Sequence, residues 1–237
     1  VKQEGRYAMN CKIQRFESIA STNDYAKSKR DEGQNLLVIA ASQTGGRGTK
    51  GRSFSSTKGG LYLSKLSFYE NFPAKDAFKI MQTAAAAVCE TLAGFGLLPK
   101  IKWANDVFVN GKKICGILIE NTFSGANIAS SVVGIGLNVY NELPEELKNI
   151  ATTMQKETGK TFSIEEVEQR LVALLADENT YKKYDGYLGW LGETVEMLSG
   201  EERLFAKLLS VDETGGLWVE TDGEKRRFTS AETSLKI

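Results

Sequence analysis

The chain has 237 residues, of which 41% are hydrophobic and 25% are charged, and its 30 basic residues balance 30 acidic ones. This balance provides no overall field to attract a nucleic acid, so any recognition of anions must be local. The sequence contains no histidine, which excludes Ser-His-Asp and Cys-His nucleophiles and histidine-ligated metals. The chemistry must therefore use Lys, Arg, carboxylates, hydroxyls and backbone amides.

The sequence offers no candidate for membrane insertion or secretion. Aliphatic runs such as residues 36–41 are only long enough for a strand, and the first 16 residues lack the apolar core of a secretory signal. Cys11, Cys89 and Cys115 are scattered and outside any metal-ligand spacing, which favours small buried thiols in a reducing compartment. We expect a cytoplasmic protein without a membrane partner.

The first 100 residues predict strands and helices around one irregular loop. Ser21 with Asp24 is a capping pair for a short helix, and the four alanines at 84–87 predict close packing of a long helix on a sheet. Residues 42–60 are too rich in Gly, Ser and Thr for regular structure. The predicted strands cover residues 11–16, 36–41 and 61–68, and the predicted helices cover 23–29 and 76–95.

The remaining residues predict more strands, a helix and a small terminal unit. A hairpin over 107–120 contains an Asn110–Gly111 turn of type I′, and Ser163 with Glu166 caps a helix running to about Lys183. Short strands then follow closely, which suits a small β-barrel beginning near residues 186–193. The further strands are predicted from 101–103 onward and at 130–139, 204–211, 217–221 and 226–228.

Four segments carry candidate chemistry, and each also has an ordinary structural explanation. The loop 42–60 combines glycines with Arg47, Lys50 and Arg52, which suits an anion site or simply a solvated loop; it lacks P-loop spacing. Ser21-Thr22-Asn23 can cap a helix or bind a polar ligand there. The glycines of residues 134–138 indicate close approach of a ligand, or a bulge.

The fourth segment is residues 102–120. It contains the cations Lys102 and Lys113 and the candidate metal ligands Asn105 and Asp106. Strand alternation places Lys113 on the side of three apolar residues and points it toward a covered interior. The alternative is that Lys112 and Lys113 form an exposed pair after a turn, and the residues alone favour that alternative. The three apolar residues are Cys115, Ile117 and Ile119.

Taken together, five motifs in order make the chain resemble bacterial biotin–protein ligases in their short form, without an N-terminal DNA-binding domain. They are STN, Q-T-x-G-R-G-x-x-G-R, K-W-x-N-D-V, K-x-x-G-I-L-x-E and G-x-G-x-N, within residues 11 to 140. The resemblance implies an α+β fold: a mixed β-sheet flanked by helices, like that of class II aminoacyl-tRNA synthetases, with a C-terminal SH3-like β-barrel. The implied domains are a catalytic domain over 1–188 and the barrel over 189–237.

The same resemblance implies roles for individual residues. A biotin site and a nucleotide site would meet at the central lysine, Lys113, which with Arg47 and Lys102 would be catalytic. The biotin head, carboxylate and phosphate would be held by Ser21, Thr22, Asn23, Gln43, Gly46, Arg47, Gly48, Thr49, Lys113 and Gly116. The nucleotide would contact Arg52, Phe54, Asn138, Lys102 and Asn105, and Mg²⁺ would be oriented by Asn105 and Asp106.

The implied activity is the ATP-dependent adenylation of biotin, followed by transfer to a lysine of a biotin carboxyl carrier protein. Two residues depart from the family pattern. Thr49 occupies the position where the family has the second arginine of the loop, which predicts looser retention of the adenylate unless Lys50 compensates. Ala104 occupies the position of the usual proline before Asn105. We expect no DNA binding, because the first strand begins near residue 11 and leaves no room before it for a helix-turn-helix. The sequence is compatible with both a monomer and a homodimer.

Two alternatives remain beside this activity. Lipoate–protein ligases and octanoyl transferases are similar in fold and share a central lysine, but the GRG loop followed by KWAND favours biotin. A domain that binds biotin or a nucleotide without chemistry would not require Lys113, Asn105 and Asp106.

Overall fold

The computed structural model describes residues 11–230 and 233–236. Residues 1–10, which form most of the segment where no secretory signal was found, lie outside the described residues. The described part contains one seven-stranded sheet and one five-stranded sheet. It has no helix long and apolar enough to cross a lipid bilayer.

The larger sheet is mixed, as predicted. Its first two strands pair in parallel and its other neighbouring strands pair antiparallel, in the order β1-β2-β3-β7-β6-β5-β4. Its strands are β1 (Lys12–Phe16), β2 (Leu36–Ala40), β3 (Leu61–Pro73), β4 (Lys100–Lys102), β5 (Asp106–Val109), β6 (Lys112–Ser124) and β7 (Asn127–Leu137).

Helices pack on both faces of this sheet. They are α1 (Thr22–Ser28), α2 (Phe78–Gly94), α3 (Met154–Thr158) and α4 (Ile164–Ala176). The fully buried alanines 84–87 of α2 pack in the main core, as their small size predicts. On the opposite face, Ala26 of α1 packs with Leu36, Val38, Leu66 and Val132. Helix α1 therefore lies over β2, β3 and β7.

Both predicted helix caps are confirmed. The Ser21 hydroxyl accepts a hydrogen bond from the Asp24 amide at 3.2 Å, and the Ser163 hydroxyl accepts one from the Glu166 amide at 3.4 Å. The prediction that the second of these helices reaches Lys183 is wrong. It ends where Asp177 adopts an extended backbone conformation, and a 3-10 helix follows over Thr180–Tyr187. The short helix α3 was not predicted.

The hairpin of β5 and β6 contains a bulge that changes which side chains share a face. Val107 lies opposite Cys115 but Phe108 lies opposite Lys113, so β6 has one extra residue at this point. The Lys113 ammonium lies 3.3 Å from where a Cβ on Gly116 would be. The expectation that Lys113 shares the face of Cys115, Ile117 and Ile119 is therefore wrong, because a bulge reverses the alternation.

The smaller sheet follows the order β11-β10-β9-β8-β12. All three strands predicted in this part of the chain are present, and two strands that were not predicted, residues 194–199 and 233–236, complete the sheet. The described edges β11 and β12 do not pair, so the sheet is not closed into the expected barrel; alternation predicts strands, but closure also depends on tilt and register. The strands are β8 (Thr194–Ser199), β9 (Glu202–Val211), β10 (Leu217–Thr221), β11 (Glu224–Phe228) and β12 (Thr233–Lys236).

The two sheets meet at the KWAND segment. Trp103 and Ala104 are buried in the core of the smaller sheet, and the Trp103 indole N–H donates to the Gly215 carbonyl at 3.1 Å. These contacts fix the backbone immediately before Asn105 and Asp106.

Candidate active site

A pocket lies between the start of α1, the loop 42–60 and the strands β6 and β7. It brings together residues that are more than 90 positions apart in sequence, including all three polar residues at the start of α1. Predicted site residues that line it are Ser21, Thr22, Asn23, Gln43, Arg47, Gly48, Thr49, Phe54, Asn105, Asp106, Lys113 and Gly116. Gly134 and Gly136 also line it, which agrees with the interpretation that these glycines let a ligand approach the strand closely.

The predicted residues Arg52, Lys102 and Asn138 lie outside this pocket and line an adjoining one. The two pockets share five residues, namely Gly48, Thr49, Phe54, Asp106 and Lys113. Gly46 lines neither pocket. A Cβ there would lie 2.5 Å from the Phe54 carbonyl oxygen, so this position excludes any side chain inside the loop.

One end of the first pocket is a network of polar side chains. The Gln43 carboxamide oxygen accepts hydrogen bonds from the Thr22 amide at 2.8 Å and the Thr22 hydroxyl at 3.0 Å. The Ser64 hydroxyl lies 2.8 Å from the Thr22 hydroxyl and 2.6 Å from the Asn23 carboxamide oxygen. Thr22, Asn23 and Ser64 are buried. This network fixes the polar side chains before any ligand arrives.

The floor of the pocket is a pair of glycines covered by an aromatic ring. Gly116 of β6 lies opposite Gly136 of β7. A Cβ on Gly136 would lie 2.5 Å from the Phe54 ring, and one on Gly116 would lie 3.0 Å from it. Both strands thus need glycine here. A ligand that reaches this floor must share its space with the ring or displace it.

Two cations of the pocket are paired with carboxylates. Nη2 of Arg47 lies 2.6 Å from Asp24 Oδ1 and 2.9 Å from Glu120 Oε2. The Lys113 ammonium lies 2.7 Å from Asp106 Oδ1 and 6.0 Å from the centre of the Phe54 ring. Lys113 is therefore not an ordinary exposed lysine, and it faces the ligand side of the sheet.

The other predicted cations surround the adjoining pocket. Burial lowers the pKa of the Lys102 ammonium; Asp106 opposes this shift, and the positive charges of Lys113 and Arg52 add to it. An anion bound here would relieve that cost. The Arg52 guanidinium turns back to the Thr49 carbonyl oxygen, to which Nε donates at 3.3 Å.

The Lys50 side chain is directed toward the smaller sheet. Its ammonium donates to the Thr233 carbonyl oxygen of β12 at 3.2 Å, and Lys50 does not line the first pocket. Its contact instead ties the loop 42–60 to the smaller sheet. Looser retention of the adenylate, unless Lys50 compensates, stays a prediction.

The candidate metal ligands suit an ion that arrives with its substrate. No group of three or more His, Cys, Asp or Glu side chains that could hold a metal occurs in residues 11–230 and 233–236. Asp106 lines both pockets, and the Asn105 side-chain amide donates to the Ile117 carbonyl at 2.9 Å. One carboxylate and one amide fit Mg²⁺, which keeps waters and takes substrate phosphates as its other ligands.

Two acidic residues at the pocket edge, Asp24 and Glu120, were given no part in ligand binding by the sequence motifs. Burial opposes ionisation of Glu120, but hydrogen bonds from Lys27, Asn23 and Arg47 lower the pKa of its carboxyl group. Glu120 is the last residue of the K-x-x-G-I-L-x-E motif. Its place in that motif was the one available sign that it belongs to the site.

This chain is similar to known biotin ligases over most of its length. It is 30% identical over 232 residues to the bifunctional ligase/repressor BirA of Bacillus spizizenii, covering 91% of this chain and 70% of that protein. It is 27% identical to the biotin–[acetyl-CoA-carboxylase] ligase of Paracoccus denitrificans, covering 82% and 88% of the two chains.

One solved structure with the same fold contains bound biotin and ATP. The biotin protein ligase from Aquifex aeolicus, in complex with biotin and ATP, is 29% identical and has a TM-score of 0.77. The match covers 95% of this chain and 98% of that one. The model of the biotin/lipoate A/B protein ligase family matches residues 15–138. With its motifs in one pocket and this match over half its length, the chain belongs to the biotin/lipoate A/B protein ligase family.

Proposed function

We propose that this protein is a biotin–protein ligase that joins biotin to AMP using ATP and then transfers the biotinyl group to a lysine of a biotin carboxyl carrier protein. One observation carries the proposal: the polar start of α1, the arginine of the loop and Lys113 line a single pocket floored by glycines. The similar proteins named above are biotin ligases, and one was solved with biotin and ATP.

In the first step the biotin carboxylate attacks the α-phosphorus of ATP, a P–O bond to pyrophosphate breaks, and biotinyl-AMP forms. The attacking group is already an anion, so the step needs no histidine to activate it. It does require one anion to approach a polyanion. Each protein cation about 4 Å from an anion contributes on the order of 4 kcal/mol at an effective dielectric near 20. Positioning and charge neutralisation are therefore the main tasks of the protein.

The pocket divides these tasks between its two ends. Ser21, Thr22, Asn23 and Gln43 would bind the ureido head of biotin, whose oxygen and N–H groups need both donors and acceptors. Arg47 and Lys113 would bind the carboxylate and the α-phosphate, with the amides of Gly46 and Gly48 and the Thr49 hydroxyl beside them. Gly116 would let biotin approach the backbone.

The adjoining pocket would hold the nucleotide. Arg52 and Lys102 would face the phosphates, and Phe54 and Asn138 would contact the adenine. Asn105 and Asp106 would hold Mg²⁺, which supplies positive charge to the phosphates when it is bound. Asp106 would then exchange Lys113 for the metal, which would free the lysine for the reacting anions.

In the second step the neutral amine of the carrier lysine attacks the biotinyl carbonyl and AMP leaves. We assign no general base to this step. The loop 42–60 would close over the adenylate between the steps and exclude water. We assign catalysis to residues 1–188 and a supporting role to the C-terminal unit of residues 189–237, whose β12 contacts the loop through Lys50.

Pyrophosphate exchange that depends on added biotin tests the proposal directly. Purified protein with ATP and labelled pyrophosphate should form labelled ATP when biotin is present. Lipoate and octanoate, offered in parallel, test the alternative activities within the same family, and neither should support exchange. Exchange with lipoate alone, or no exchange with any acid, would overturn the proposed activity.

A further inference from the structure

The Glu120 carboxylate links three elements of the pocket at one point. Its Oε2 accepts hydrogen bonds from Asn23 Nδ2 at 3.1 Å and from Arg47 Nη2 at 2.9 Å. Its Oε1 accepts from the Lys27 ammonium at 2.8 Å. The side chain is only 22% exposed. Thus β6, α1 and the loop 42–60 all meet at this residue.

These bonds determine how Asn23 faces the pocket. Its carboxamide oxygen contacts the Ser64 hydroxyl at 2.6 Å while its nitrogen donates to Glu120, so donor and acceptor cannot exchange places. A carboxamide has two N–H groups and two oxygen lone pairs. One of each remains for a ligand, in a fixed orientation.

Arg47 is held in a similar way. Both of its bonds to carboxylates use Nη2, so Nη1 and Nε remain to donate to a ligand anion. Its other partner, Asp24, is 55% exposed and offers a weaker anchor because water screens exposed ion pairs. Glu120 is therefore the better fixed of the two anchors.

We propose that Glu120 is a positioning residue for biotin, which sets the orientation of Asn23 toward the ureido head and of Arg47 toward the carboxylate. It acts through these two residues and does not itself touch the substrate. The inference rests on the proposed function for the identity of the ligand. It also predicts that Oε2 is the important atom, because Oε2 accepts the hydrogen bonds of both Asn23 and Arg47.

Direct biotin binding, measured by isothermal titration calorimetry, tests this role. Glu120→Ala should raise the Kd for biotin about ten-fold, which is the cost expected for losing hydrogen bonds to a charged group. Glu120→Gln can present its oxygen at the Oε2 position, where it accepts from Asn23 and Arg47, and it loses only the Lys27 bond to Oε1. It should therefore stay within about three-fold of the parent. Loss of stability alone would not produce this rescue.

Glu90 provides a matched control. Its side chain is also 22% exposed, and it accepts hydrogen bonds from Lys183 at 2.6 Å and from Tyr187 at 2.7 Å, away from the pocket. Glu90→Ala should leave the Kd for biotin unchanged. In an Asn23→Ala background, Glu120→Ala should raise the Kd by a smaller factor than in the parent, because one of its two targets is gone.

The outcomes separate this inference from the proposed function. Glu120→Ala that binds biotin within two-fold of the parent, or Glu120→Gln as weak as Glu120→Ala, overturns the role of Glu120. A parent that binds biotin but does not exchange pyrophosphate overturns the proposed activity, while the ratios of Kd still decide the role of Glu120. A parent that does not bind biotin overturns both.

Discussion

Replacement of Gly134 by alanine tests the physical basis of the pocket most directly. Gly134 lies on β7 opposite Ser64 of β3. A Cβ at this position would overlap the Asn23 carboxamide oxygen and lie 2.8 Å from Asn23 Cγ and 3.0 Å from Nδ2. Since Asn23 is buried, its carboxamide has to rotate away from its present partners.

The cost follows from the bonds that this rotation breaks. Asn23 loses a neutral hydrogen bond to Ser64 and a bond to the charged Glu120, which together cost roughly 2–4 kcal/mol. For a chain of this size each kcal/mol lowers the melting temperature by about 2–4 °C. We expect Gly134→Ala to melt roughly 4–16 °C below the parent and to bind biotin at least about ten-fold more weakly.

Thermal unfolding followed by circular dichroism, together with calorimetry of biotin binding, measures both effects. Gly186→Ala is the matched control, because a Cβ there meets nothing within 4 Å and the position needs no left-handed backbone. Asn23→Ala removes the atoms that clash, so Gly134→Ala should cost less than about 1 kcal/mol in that background. A Gly134→Ala protein with the parental melting temperature and Kd, or an equal cost in both backgrounds, would refute the reasoning.

Three further predictions concern the cations and the loop. Lys113→Ala should lower biotin-dependent pyrophosphate exchange by about 100-fold or more. The Lys112 ammonium donates to the Lys148 carbonyl, away from the pocket, so Lys112→Ala should exchange like the parent. Thr49→Arg should reduce the biotinylation of a bystander protein incubated with ATP and biotin; labelling equal to the parent's would contradict the role assigned to Thr49. Because burial lowers the pKa of Lys102 and phosphates would raise it again, ATP binding should take up a proton, so the affinity for ATP should fall as pH rises toward the ordinary lysine value of 10.5. Calorimetry of ATP binding at several pH values should show this fall in affinity for the parent and not for Lys102→Met.

The helix starts and the hairpin turn of the larger unit were predictable because local patterns determine them. The capping serines and the Asn110–Gly111 turn, with φ of 49° and 75°, act within a few residues of their own positions. The face occupied by Lys113 was not predictable. It depends on a bulge in β6, and a bulge is defined by the register of the neighbouring strand, which periodicity in one segment does not contain.

The same distinction applies to the pocket. The motifs identified residues such as Ser21 and Lys113, and the fold brings them together. They could not assign Glu120, whose three partners come from other parts of the chain, or show that Lys50 reaches the backbone of Thr233. Partners separated by about 70 to 180 positions are set by topology, and a single sequence carries little information about such pairs.

The ion pairs of the pocket also explain how an anion-binding site can be built before its anions arrive. A partly buried cation without a partner is costly, and Arg47 and Lys113 avoid that cost by pairing with Glu120 and Asp106. The two pairs differ in what binding must do to them. Arg47 can keep Glu120 while its free nitrogens bind an anion, whereas Asp106 must leave Lys113 if it is to hold a metal. Glu120 thus belongs to the permanent framework of the site, and the Asp106–Lys113 pair is the contact that should break when Mg²⁺ and ATP bind.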